Sequence, residues 1–191
     1  MEVNVNHNEN REYLLHDYMK FEEALRLVHL PKWVVDEDGN KIQELSLEQK
    51  YPMQFRLHFV SDDDIVRKYL VDVKQSEKMG IRLNFQLMDS SNWGLARLDY
   101  NNNHKNPDEL TDKVPVMFHK HVSEYFNKKS HLHYHVEDFP SLAWALPLEE
   151  TEIKQKVVEN TTMLNDFIAA FYSFMSYLNI QTKITINPMI L

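Results

Sequence analysis

Between residues 11 and 29 apolar side chains recur at steps of four and three: Leu14, Tyr18, Phe21, Leu25 and Val28. That spacing lays one stripe along an amphipathic helix, and Pro31 ends it. The period then shortens to two. Phe55, Leu57 and Phe59 alternate with polar neighbours, as do Tyr69, Val71 and Val73, and then Ile81, Leu83, Phe85 and Leu87. Such alternation marks half-buried strands. Asp62-Asp63-Asp64, the polar run Gln75 to Lys78 and Asp89-Ser90-Ser91-Asn92 supply turns between them. Trp93 to Tyr100 reads as a fourth strand, His131 to Val136 as a fifth and Ala143 to Leu146 as a short sixth, with residues 101–130 mostly loop. Ile42 to Tyr51 fits neither period.

After Pro147 the longer period returns. Ile153, Val157, Thr161, Leu164, Ile168, Phe171, Met175 and Leu178 predict one helix over 151–178, about seven turns long. Its Phe167, Phe171, Tyr172, Phe174 and Tyr177 form an aromatic face suited to a core. Lys183 to Asn187 alternates as a closing strand, and the polar, Asn-rich residues 1–10 read as a flexible tail. The expectation is a single α+β domain over 1–191. A curved antiparallel sheet of five to six strands occupies residues 50–150, packed by the N-terminal helix and the long C-terminal one.

The fifth strand changes this picture from fold to chemistry. Six of the ten histidines lie between His104 and His135. His131, His133 and His135 alternate, so strand geometry sets them in a row on one face, roughly 6–7 Å apart. Leu132, Tyr134 and Val136 then point into the core, leaving the histidine face outside it. Arg97 and Asp99 share one face of the preceding strand and would stand beside His131 and His133 if the two strands pair. The turn-forming run from Asn101 to Pro107 carries His104 and Asn106 and can fold back over the row. Glu137 shares the face of His135. His119 and His121 flank Lys120 and read as solvated.

Imidazoles can move the proton of a 2′-hydroxyl and of a leaving oxygen, and a guanidinium can hold the phosphate between them. Arg97, Asp99, His104, His131 and His133 are therefore candidate catalytic residues for metal-free RNA cleavage without a cofactor, supported by His135, Glu137 and Asn106. Two adjacent imidazoles resist double protonation, so one is expected neutral and the other charged, held by Asp99. The alternative chemistry is a zinc ion on His131, His133 and His135 with an open fourth position. The plain alternative is a solvated strand face bearing an ordinary Arg97–Asp99 pair.

Composition narrows the classes. Lys and Arg number 21 against 29 Asp and Glu, a net charge of −8, which does not support a broad nucleic-acid footprint. Local charge between Arg97 and His135 is nearly balanced, so one phosphate could still be met there. With no cysteine, disulfides, thiolate metal sites and cysteine nucleophiles are excluded. Residues 1–8 lack the basic and apolar regions of a signal peptide, and no apolar run is long enough to span a membrane. The chain is expected to be cytoplasmic.

The order Arg97-Leu98-Asp99, His104-Lys105-Asn106-Pro107, His131-Leu132-His133, Glu137 and Trp144-Ala145-Leu146-Pro147-Leu148 resembles an uncharacterised family of small bacterial and phage proteins. The likeness covers roughly residues 50–150, with a longer segment between Asp108 and Ser130. More loosely, the strand-borne Arg-x-Asp and following histidine loop are similar to toxins of bacterial toxin–antitoxin pairs. That looser resemblance implies an RNA substrate and a cognate antitoxin as partner. A second class of function is a non-enzymatic module that binds a protein through the acidic surface and aromatic helix.

Overall fold

The computed structural model describes residues 19–75, 83–90, 93–158 and 164–188. Helix α1 spans Phe21–His29. The strands are β1 (Trp33–Val34), β2 (Glu44–Gln49), β3 (Gln54–Ser61), β4 (Asp64–Gln75), β5 (Leu83–Asp89) and β6 (Gly94–Lys105). A short 3-10 helix at Val116–His121 precedes β7 (Tyr125–Tyr134) and β8 (Trp144–Pro147). Another at Leu148–Glu150 leads towards helix α2 (Leu164–Tyr177) and strand β9 (Lys183–Pro188). Seven strands form an antiparallel sheet in the order β1-β3-β4-β5-β6-β7-β8. β2 and β9 form a separate parallel pair. The α+β meander thus has more strands than the five to six expected. The tail at 1–10, Leu14 and Tyr18 of the expected first helix, Ile81, and the run 76–78 lie outside the described residues.

Strand register sorts the side chains into two faces. Phe55, Val73, Phe85, Leu98, Leu132 and Leu146 form one row across β3 to β8. Helix α2 lays Phe167, Phe171 and Phe174 against Phe85, with ring centroids 5.9, 6.1 and 5.8 Å away. Phe21 of α1 meets Phe118 and Tyr134 at 5.9 and 6.2 Å. Phe167, Phe171, Phe174 and Tyr177 of the aromatic face of α2 are therefore core, while Tyr172 is exposed. The neighbouring row, Arg56, Asp72, Gln86, Arg97, His133 and Ala145, lies on the opposite face.

Two expected boundaries move for physical reasons. Residues 101–130 are not mostly loop: β6 continues to Lys105 and β7 begins at Tyr125. Asn101 to Lys105 carries no apolar alternation, so nothing announced a strand there. The register of this ribbon shifts between Asp99 and Asn102 and again before His104, with Asn101 and Lys128 at φ of 53° and 52°. Bulges of this kind bend and coil a strand pair. The helix expected over 151–178 is described from Leu164 to Tyr177, and residues 151–158 are irregular. Ser173 Oγ on α2 accepts the backbone N–H of both Lys154 and Gln155 at 2.9 Å, while Ile153 and Val158 are buried. An irregular segment pressed onto the core satisfies the same apolar spacing without helical bonds.

The ambiguous stretch 42–51 contains strand β2, Glu44–Gln49. Lys32, after the helix-ending Pro31, is fully buried. Its ammonium donates to the carbonyls of Val28, Leu30 and Leu178 at 2.7, 2.9 and 3.3 Å, and stands 5.2 Å from the Tyr69 ring centroid. No helix among the described residues is long and apolar enough to cross a membrane.

Candidate functional site

The pairing of β6 with β7 sets Arg97 opposite His133 and Asp99 opposite His131. Five candidates thereby converge, because the coiled end of β6 also returns His104 to the row. The His104 ring centroid lies 4.4 Å from that of His133 and 5.5 Å from that of His131. The face is not solvated, contrary to expectation: His131, His133 and Asp99 are all 0% exposed. Alternation distinguishes two faces chemically, but it does not say what covers the polar one. Here the cover is local. The Phe126 ring lies tilted over His131, 4.8 Å between centroids, and the carbonyls of Leu142 and Ala143 bond His133 and His104. Arg97 and His104 remain partly exposed and form the rim.

The carboxylate of Asp99 organises the cluster. Its Oδ2 accepts Arg97 Nε and Asn102 Nδ2, each at 3.2 Å, and Asn84 Nδ2 donates to Oδ1. His133 Nε2 stands 3.2 Å from the same Oδ2, and His131 Nε2 stands 3.6 Å from it. His131 Nδ1 donates to Lys129 O and His133 Nδ1 to Leu142 O, both at 2.8 Å. A carbonyl accepts only, so each Nδ1 carries the proton and each Nε2 presents its lone pair inward. Arg97 Nη2 donates to His133 Nε2 at 2.7 Å. His131 Nε2 has no hydrogen-bond partner among the described residues. His104 has the opposite tautomer, with Nε2–H between Asn106 Oδ1 and Ala143 O.

Burial holds His131 down at about 4 and His133 at about 3, well below free imidazole, and lowers His104 as well. Burial alone would raise Asp99, but the Arg97 charge and the N–H donors around the carboxylate outweigh it and keep the carboxyl at about 2. Asp99 is therefore ionised at neutral pH, and both strand histidines are neutral. The expected neutral-and-charged pair is corrected: both rings are fully buried, and burial makes an imidazolium costly in this cluster.

The supporting residues separate. Asn106 uses its whole amide, donating to His121 O and Ala145 O and accepting from Ala145 N and His104. His135 leaves the row, because β7 ends at Tyr134. Its Nε2 donates to Met19 O and its Nδ1 accepts Trp93 Nε1. Glu137 pairs with Lys113 at 3.3 Å. Among the described residues, the group able to hold a metal is accordingly Asp99, His131 and His133, with ligand atoms within 4.8 Å of one another, rather than the three strand histidines. His119 is exposed as expected, but His121 is buried between Glu124 and Glu150. Asn84, Asn102 and Phe126 were missed. Asn84 was readable as a polar strand position, but only the register, Asn84 opposite Asp99, reveals its role.

Comparison with curated proteins and with solved structures finds no match. The model of the Family of unknown function (DUF6978) matches residues 19–180, a span that includes every residue of the cluster, and the chain belongs to that family.

Proposed function

We propose that the cluster is a catalytic site for a phosphodiester, with RNA as the substrate class. The observation that carries the reading is the Arg97 guanidinium, partly exposed and fixed between Asp99 and His133 beside the His104 ring. A guanidinium so placed can present its outer N–H groups to a phosphate. His131 and His133 are too deeply buried to meet a substrate hydroxyl. His104 at the rim takes the proton of the 2′-hydroxyl as that oxygen attacks phosphorus, and returns it to the departing oxygen. Asp99 orients Arg97. A partner-binding module would keep only Tyr172 of its aromatic helix at the surface, since Phe167, Phe171 and Phe174 are core. The likeness to toxins agrees with the reading and adds a cognate antitoxin as the partner.

The test is incubation of the folded, purified protein with RNA. Wild type should cleave it. Arg97→Met should slow cleavage by roughly a hundredfold or more, the scale for losing one donor to a developing anion. His104→Ala should cost at least about a hundredfold. Harmless expression together with intact RNA after prolonged incubation overturns the reading.

A further inference from the structure

We infer that Asp99, His131 and His133 bind one divalent transition-metal ion through Oδ2 and the two Nε2 atoms. The inference rests on taking the cluster as a working site, and supplies its cofactor. The two Nδ1–H groups are tied to the carbonyls of Lys129 and Leu142. Bonding the outer ring nitrogen to a carbonyl is how proteins fix the tautomer of a ligating histidine. The Nε2 atoms, that of His133 accepting from Arg97 and that of His131 bare, then face one carboxylate oxygen at 3.2 and 3.6 Å. Without a cation or proton between them, that approach sets lone pair against lone pair.

Ligands bound at about 2.0–2.2 Å around a common tetrahedral ion stand roughly 3.3–3.6 Å apart, close to the two histidine–carboxylate distances, and all three ligand atoms lie within 4.8 Å of one another. His131 Nε2 is the decisive atom, since it is buried, aimed at Asp99 and without a hydrogen-bond partner among the described residues. A polar atom left so is costly. Two imidazoles and a carboxylate suit zinc, iron, cobalt or nickel better than magnesium or calcium. Three protein ligands leave a position open, as catalytic zinc sites do.

Arg97 fits the same account. Its guanidinium lies 2.7 Å from His133 Nε2 and 3.2 Å from Asp99 Oδ2, where positive charge is wanted, and it is partly exposed. Entry of the ion displaces it outward, leaving it beside the open position to receive an anion. Arg97 thus competes with the metal, and that competition separates this site from a purely structural network.

The experiment is titration of metal-stripped protein with Co²⁺, followed by its visible spectrum, and with Zn²⁺ by calorimetry and melting temperature. Wild type should bind one ion per chain and melt higher with Zn²⁺. Arg97→Met should bind at least about tenfold more tightly, and His131→Gln at least about tenfold more weakly. His131 is buried, so if His131→Gln fails to fold, Arg97→Met decides. Weaker or unchanged binding in that variant overturns the inference, as does no binding to wild type or undiminished binding in a folded His131→Gln. RNA cleavage that survives chelation by a protein that binds no metal overturns the metal site and leaves the cleavage reading standing. Metal binding without cleavage does the reverse.

Discussion

Lys32 carries an ammonium into a place closed to solvent and spends all three donors on carbonyls at the ends of α1 and α2. Burial pushes it down to about 7, while those carbonyls and the Tyr69 ring favour its charge. Lys32→Met keeps the apolar stem but orphans three acceptors, so it should destabilise the fold by about 2–4 kcal/mol, measured by urea denaturation. The pH dependence has a defined sign. Between about 7 and 10.5 the unfolded chain holds a proton that the folded one lacks, so this lysine makes stability rise with pH. The methionine variant should lose that slope. Nothing in the letters Leu30-Pro31-Lys32 signals burial, because a lysine after a helix-ending proline is read as solvated. His131 and His133 were legible as a row, yet not as buried. Exposure depends on distant segments, here Phe126 and Leu142, that local periodicity does not place.

Among the elements, the β6–β7 ribbon turns a flat strand pair into a site. Its bulges at Asn101 and Lys128 bring His104 back over residues that an unbent strand would leave behind. Asn106 holds the end of that ribbon to β8 and to the 3-10 helix at Val116–His121. Asn106→Leu keeps the same branched heavy-atom skeleton but removes four hydrogen bonds from buried backbone and from His104. It should cost about 3–5 kcal/mol by thermal melting, and should loosen His104, broadening its imidazole resonances in NMR spectra. Gly94 matters for a related reason. A Cβ there would meet Leu142 Cδ1 at 2.6 Å, and the Leu142 carbonyl is what fixes the His133 tautomer. The half-buried strands β3, β4 and β5 were legible because one face is apolar at every second position. The outer halves of β6 and β7 were not, since a polar ribbon paired by backbone alone leaves no hydrophobic period.

At the scale of the molecule, four phenols are locked in by the sheet and its helices. Burial raises Tyr69, Tyr100, Tyr134 and Tyr177 above the ordinary phenol value of 10.0. Above that pH the unfolded chain releases protons that the folded one keeps, so stability falls as pH rises. The share of phenolate absorbance near 295 nm that belongs to these four should therefore appear in one cooperative step that coincides with loss of circular dichroism, whereas exposed tyrosines such as Tyr51 and Tyr125 need no unfolding; gradual ionisation of all the tyrosines in a still-folded protein would contradict it. The α+β class and the polar side of the sheet were legible from alternation alone. The split into a seven-stranded sheet and a separate pair was not, because β2 and β9 meet only in three dimensions. That pair has a kinetic consequence. Glu44 and Lys183 are 139 residues apart and lie in parallel register, so the two strands cannot zip from a turn. Their union must wait until the intervening meander and α2 have shortened the chain between them. Ring closure over so long a contour contributes high contact order and a slow late phase, and in that interval each strand offers an open backbone edge to another molecule.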